Sequence, residues 1–247
     1  MKVVMVAGFL ALLAAQRHRV VGAIRELKLL PGSMDRVAAA SARVRPLLTV
    51  ELAAMKLRLG DPVFLRVLKE EQFLEVWMKP RGEPDFVHYK TYVLCRPGGV
   101  PGPRNGDQDQ QLPEGFYAAA RDSLRPYHRH YLAFDIGYPN EVDRHLNRPT
   151  QPVLVQGDCV GAGSLALNNP NIEELYTLVS AALDGGQKRL QVHLFPFRLT
   201  DEKMNQLQTS KSPWLEFWAN LKEGYDYFEI VRRPPRISFK AGRYAFE

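Results

Sequence analysis

The sequence predicts a β-rich α+β domain with an N-terminal helical arm and a C-terminal helix and strand extension. Three observations carry this. The 247 residues are 45% apolar and 24% charged, an ordinary globular balance with enough chain for one sizeable core. Helical spacing before residue 60 gives way, at Gly60-Asp61-Pro62, to a series of short β-rich runs. Amphipathic helical stretches return only sparingly and no internal repeat is visible, so short strands and a few helices must share a core.

At the N-terminus, Lys2 precedes an apolar run from Val3 to Ala15, followed by Gln16-Arg17-His18-Arg19. That order fits a secretory signal, and the run is too short for an ordinary membrane span. The small-residue cleavage position is weak, so residues 1–19 read as either a removed signal or a retained inner-membrane anchor. Residues 20–60 form a basic helical arm. Residues 1–60 carry ten Lys and Arg against three acidic residues, leaving the rest of the chain near −1 of the total +6. Such an arm favours anionic surfaces, lipid head groups or wall polymers, although a solvated helix face explains it equally well. No nucleic-acid motif accompanies the charge, and no nucleic-acid partner is expected.

Within the arm, Ser33 to Leu59 reads as helix. Ser33 is a candidate cap, and Val37, Val44, Leu47, Leu48, Leu52, Met55 and Leu59 form an apolar stripe that Pro46 should kink or divide. A main domain at 61–200 follows. Val63–Leu68, Phe73–Met78 and Val87–Leu94 read as a meander separated by turns. The segment from Arg96 to Leu112 is a Gly-, Pro- and Gln-rich loop. Residues 116–118, 131–135, 153–155 and 190–195 read as further strands, and Ile172 to Leu183 as an amphipathic helix ended by Asp184-Gly185-Gly186. In the extension at 201–247, Pro213 to Leu221 reads as a short helix with Trp214, Phe217 and Trp218 as core anchors. Two strands are expected between Phe228 and Phe246, around Pro234-Pro235. Cys95 and Cys159 can pair in an exported protein, but spacing does not decide whether folding brings them together.

Several segments in one order resemble a known family. They include Arg43-Val44-Arg45-Pro46, Lys69-Glu70-Glu71 with Leu74-Glu75-Val76-Trp77, and Tyr89-Lys90-Thr91-Tyr92 with Cys95. They continue through Pro113-Glu114-Gly115-Phe116-Tyr117, residues 132–140, and Val192-His193-Leu194-Phe195-Pro196-Phe197-Arg198. Together, from about Asp35 to the C-terminus, they resemble the YkuD-like L,D-transpeptidases and, within them, the YafK-like murein-processing branch. The resemblance implies a periplasmic protein that acts on or binds peptidoglycan without a cofactor or metal. In that family a cysteine thiolate attacks a stem-peptide carbonyl, and an amine or water resolves the thioester.

The family's nucleophile pattern resembles His-Gly-x-Cys-x-Ser-x-Gly-Cys. Here the matching stretch is Gln156-Gly157-Asp158-Cys159-Val160-Gly161-Ala162-Gly163-Ser164. Gln156 stands at the base position, Gly161 at the serine and Ser164 at the nucleophile. An amide cannot take a proton near neutral pH, and a serine hydroxyl is a far weaker acid than a thiol. The loop's backbone N–H groups can still form an oxyanion hole, which alone gives only residual catalysis. The expectation is a pseudoenzyme that binds stem peptides or an envelope protein in a scaffolding or regulatory role. The alternatives are an active enzyme through Ser164 or Cys159, and a structural part of an envelope assembly.

Other positions divide between roles. Arg144, His145 and Arg148 resemble a family segment bordering the substrate cleft. The two arginines suit a stem-peptide carboxylate, or are ordinary surface residues. Gly157 and Gly163 join them as substrate-side positions. Cys159 reads as structural, and His193 as a packing residue. In the segment 108–113, which resembles Gly-Asp-x-Gln-x-Pro, Gln108 replaces the glycine.

Overall fold

The β-rich runs after Pro62 assemble into a mixed five-stranded sheet. In the computed structural model, residues 33–106, 109–209 and 211–247 are described. Residues 37–247 form one compact unit. The expected export segment, Gln108, and the side chain of the candidate cap Ser33 lie outside the described residues.

Strands β1 (Val63–Leu68), β2 (Phe73–Met78) and β3 (Val87–Val93) make the expected meander. Further strands are β4 (Gly115–Ala119), β5 (Leu124–Arg125), β6 (Ala133–Asp135), β7 (Leu154–Gln156), β8 (Leu165–Ala166) and β9 (Leu190–Phe195). The large sheet runs β3-β2-β1-β9-β4, with β1 parallel to β9 and every other neighbour antiparallel. A smaller sheet runs β5-β6-β7-β8.

Strand β1 is buried along its whole length because both faces of the large sheet are covered. Val63, Leu65 and Val67 join one core with Val192, Leu194, Phe134 and Val155. That core also takes in Leu48 and Leu52 of α1 (Ser33–Ala54). On the opposite face Leu68, Phe116 and Phe195 meet Trp218, Leu221 and Tyr225 from the C-terminal extension.

Several helices differ from expectation. Helix α1 runs through Pro46 undivided and ends at Ala54, five residues before Leu59. Buried Ala40 before the proline and Leu48 and Leu52 after it anchor the helix on both sides. Leu47 and Met55 of the expected stripe are exposed instead. A short helix α2 (Glu141–His145), capped by Asn140 accepting from the Asp143 amide, was not signalled by periodicity. Helix α3 (Asn169–Asp184) begins at Asn169, with Asn168 as its cap and a proline in its first turn. The helix α4 (Asp201–Gln208) was missed because none of its residues is buried.

The expected short helix after Pro213 becomes α5 (Leu215–Val231), and Phe228 belongs to it rather than to a strand. Trp218, Leu221, Tyr225 and Phe228 continue one buried helical stripe, and the helix stops at Arg232 with φ 55°, just before Pro234. Both terminal strands, β10 (Ile237–Lys240) and β11 (Arg243–Phe246), therefore follow the prolines as a hairpin.

His193 of β9 sits edge-on among Phe64, Phe116 and Phe195. Its Nε2 bonds Gln191 Oε1 at 3.0 Å, while Nδ1 has no partner. Burial, helped by the Arg66 charge, pushes its pKa down from 6.5 to about 3. The folded imidazole stays neutral where the unfolded one is protonated. Stability from this group is thus complete above pH 6.5 and is lost as pH falls from 6.5 toward 3. Denaturant titrations at pH 7, 5 and 4 should show that decline at up to ~1.4 kcal/mol per pH unit, and His193→Phe should flatten it. An equal slope in both proteins would remove His193 as its source.

Candidate functional site

The stretch 156–164 links β7 to β8, which pair in parallel through Val155 with Leu165 and Gln156 with Ala166. A short crossover between adjacent parallel strands forces a tightly wound loop. Asp158, Cys159, Gly161 and Gly163 all take positive φ, at 62°, 52°, 104° and 70°. Two of these are not glycine, and local bonds hold each in place. The Asp158 amide donates to Asn169 Oδ1 at 2.8 Å, and Asn169 Nδ2 donates back to Asp158 Oδ1 at 2.9 Å. Cys159 is fixed by a disulfide to Cys95, whose own amide donates to the Ala166 carbonyl at 2.9 Å. Arg96 Nε donates to the Cys159 carbonyl at 3.3 Å.

The disulfide resolves what spacing left open and corrects one alternative: the Cys159 sulfur is bonded to Cys95 and is no thiolate nucleophile. The Cys95–Cys159 bond ties the end of β3 to the loop.

Gln156 is buried, and its Nε2 donates to the Val160 carbonyl at 2.7 Å, closing the loop on itself. A Cβ on Gly161 would fall on Gln156 Nε2, far inside van der Waals contact, and would lie 3.4 Å from Ser164 Oγ. The glycine at 161 and the glutamine at 156 are therefore sterically linked: the longer amide fills the space that a side chain at 161 needs. Among the described residues the Ser164 hydroxyl has no hydrogen-bond partner, so nothing is placed to take its proton. Gly157 has no room for a side chain, since a Cβ would meet Asn169 Oδ1 at 2.7 Å and Tyr131 Cβ at 3.1 Å. Gly163 faces the Gln110 carbonyl, 3.4 Å from where its Cβ would be.

The remaining sequence candidates disperse. Arg148 is buried, bonded to Asp143 at 2.8 Å and stacked over Phe217. Arg144 is exposed and donates to the Pro139 carbonyl at 2.6 Å. The His145 ring lies against Gly242 in the β10–β11 turn. None of the three hydrogen-bonds a residue of 156–164. His130 approaches through its backbone, its carbonyl accepting from the Gly157 amide at 3.1 Å. Burial lowers the pKa of His128.

One constellation escaped sequence reasoning. Arg43 of α1 forms a paired contact with Glu173 of α3, Nε to Oε2 at 3.0 Å and Nη2 to Oε1 at 2.6 Å. The Tyr131 hydroxyl donates to the same carboxylate at 2.6 Å. Glu173 lies below the usual carboxylate range because these bonds outweigh its desolvation. Arg43 lies within a segment that carries the family resemblance, but its partner, 130 residues away, is visible only in the fold.

Comparisons with known proteins bear on the family. No protein-family model matches the chain. The Escherichia coli K12 protein YafK, described as a candidate L,D-transpeptidase, is 39% identical over 186 residues, covering 75% of this chain and 74% of that protein. YafK of Escherichia coli O157:H7 matches equally. Among solved structures, the helical cell shape determining protein Pgp2 from Campylobacter jejuni aligns with TM-score 0.42 and 16% identity, over 77% of this chain and 79% of that one. Bd1075 from Bdellovibrio bacteriovorus aligns with TM-score 0.37 and 19% identity, over 68% and 60%.

Two outcomes test the loop. Gly161→Ser alone should destabilise by about 2–4 kcal/mol, from the positive φ together with the collision with Gln156. Adding Gln156→His should recover part of that, giving a coupling of about 1 kcal/mol or more in a denaturation double-mutant cycle. Additive effects would show that the two positions are independent. Cys95→Ala/Cys159→Ala, which opens a closure spanning 64 residues, should cost about 2–5 kcal/mol by the same assay.

Proposed function

The chain belongs to the L,D-transpeptidase family that includes YafK, and from that membership we propose that it is a catalytically inactive, exported cell-envelope protein. It binds peptidoglycan stem peptides or an envelope protein, and scaffolds or regulates wall processing. In this reading residues 1–19 direct export or hold the protein at the inner membrane, and the basic arm meets the anionic surface nearby. The domain at 61–200 supplies the inherited peptide-facing surface, with 201–247 as its extension.

The observation that carries the reading is the side chain at 156. Where the family's base stands, Gln156 offers an amide already committed to the Val160 carbonyl at 2.7 Å. An amide donates and accepts hydrogen bonds but performs no general-base chemistry, so Ser164 stays a protonated alcohol. A buried Gln156 filling the space beside Gly161 supports loss of turnover by replacement and repacking of the loop. Gly163 is only partly buried, and Arg144 and His145 are exposed on α2. Arg148, held by Asp143, would act by positioning that element.

The experiment is mass spectrometry of sacculi and tetrapeptide muropeptides incubated with the native protein and with a Ser164→Cys/Gln156→His/Gly161→Ser variant. The expected outcome is binding without product for the native protein and turnover by the variant. New cross-linked or cleaved products from the native protein, abolished by Ser164→Ala, would overturn inactivity. Absence of muropeptide binding by either protein would remove the stem peptide as ligand and leave the envelope-protein partner.

A further inference from the structure

A cavity of about 450 Å³ opens beside β4 and the β10–β11 hairpin, and no residue of 156–164 lines it. Its floor is apolar, with Phe116 from the large sheet and Ile237 and Phe239 from the hairpin. Arg144, Arg189 and Arg236 come to its walls from three separate elements: α2, the start of β9 and the start of β10. None of the three forms an ion pair among the described residues, and a single carboxylate, that of Glu141, stands on the same wall. Several arginines elsewhere in the fold are paired, as Arg43 with Glu173, Arg66 with Glu75 and Arg148 with Asp143.

The polar groups between the arginines also point one way. Gln191 lines the cavity, and its Oε1 is turned back onto His193 Nε2 at 3.0 Å. With the oxygen facing the ring, the contact takes a proton on Nε2 and leaves the buried Nδ1 without a partner. With Oε1 turned onto the imidazole, Gln191 still has both amide N–H groups and one oxygen lone pair to offer. Asn140 is spent internally, donating to the Phe116 carbonyl at 3.0 Å and the Tyr244 hydroxyl at 2.8 Å while its oxygen accepts from Asp143. The free hydrogen-bonding capacity of the walls is thus mostly donors, and mostly charged. A second cavity, of about 290 Å³, shares Arg189 and Gln191 with the first and adds Lys79.

We infer that this cavity is a binding site for a small ligand carrying at least two oxyanion groups, carboxylate or phosphate, on a partly apolar body. Three guanidiniums present planar pairs of N–H donors suited to such oxygens, and the aromatic floor accommodates the remainder of the ligand. The site is separate from the 156–164 loop, so its fate is independent of whether that loop is inactive.

The test is isothermal titration of the full chain with pyrophosphate, with citrate, and with acetate as a single-charge control. One-to-one binding of pyrophosphate or citrate at least about tenfold tighter than acetate is expected, and the better ligand names phosphate or carboxylate as the natural chemistry. Arg189→Ala and Arg236→Ala should each weaken it about tenfold, while Ser164→Ala leaves it unchanged. Phenylglyoxal labelling with peptide mapping provides a readout on the unmutated protein: the bound ligand should protect Arg144, Arg189 and Arg236 together. No preference over acetate, full affinity in both folded arginine variants, or labelling of the three arginines indifferent to ligand would each overturn the site.

Discussion

The ammonium of Lys69 is fully buried, and the surrounding chain is arranged to satisfy it. Its Nζ donates to the Gly102 and Leu112 carbonyls at 2.7 and 2.9 Å and to Glu114 Oε1 at 3.1 Å. Glu114 in turn accepts from the Gly102 amide at 2.7 Å and from Trp218 Nε1 at 2.8 Å. Four segments meet there: the end of β1, the Gly- and Pro-rich loop, the entry to β4, and α5. Desolvation lowers the Lys69 pKa despite the opposing pull of Glu114. Such a pair adds little net stability over an apolar replacement, but removing one partner costs about 3–5 kcal/mol because it strands the other charge. It therefore acts as a constraint on geometry: only one path of the loop satisfies both ions.

That constraint carries outward to both faces of the large sheet. The loop is held at Gly98 and Gly102, where a Cβ would meet Leu112 Cδ1 at 2.6 Å and Trp214 Nε1 at 2.7 Å. Its far end passes the Gly163 rim through Gln110, while Trp218 draws α5 onto the opposite face. There the buried Arg66, bonded to Glu75 and Glu229 and ringed by Trp77, Tyr225 and Phe228, provides a second node. Arg198 adds a further bond to Glu75, whose pKa falls because these cations outweigh its burial. The segment after residue 200 is consequently part of the core, sharing one apolar cluster with Leu68, Phe116 and Phe195.

Within the loop 156–164, Gln156 and Gly161 obey one steric logic. The Gln156 amide is turned onto the Val160 carbonyl, and it occupies the space over residue 161. Glycine at 161 accommodates both the amide and a φ of 104°. In the proposed reading the Ser164 hydroxyl, with no base beside it, stays a protonated alcohol. The loop's shape is meanwhile kept by bonds that need neither base nor nucleophile: the Asp158–Asn169 pair and the Cys95–Cys159 disulfide. The residues that keep the loop's shape are thus different from those at 156, 161 and 164.

The sequence by itself determined the α+β class, the β1–β3 meander, the strand at β9, the amphipathic α3 and the family. Each rests on a local pattern or on an ordered series of short matches that needs no knowledge of distant partners. It also singled out positions 156, 161 and 164, because their identities can be compared with the family pattern without knowing what surrounds them. Tertiary structure decided the rest. Helix α1 survives Pro46 because buried residues on both sides outweigh one missing hydrogen bond, and α5 outruns its sequence signal because its later turns bury aromatic residues against the sheet. The disulfide, the Arg43–Glu173–Tyr131 contact, the commitment of Arg148 to Asp143 and the gathering of Arg144, Arg189 and Arg236 all join residues distant in sequence. Pairing across such separations is set by how the elements pack in three dimensions, which no local periodicity encodes.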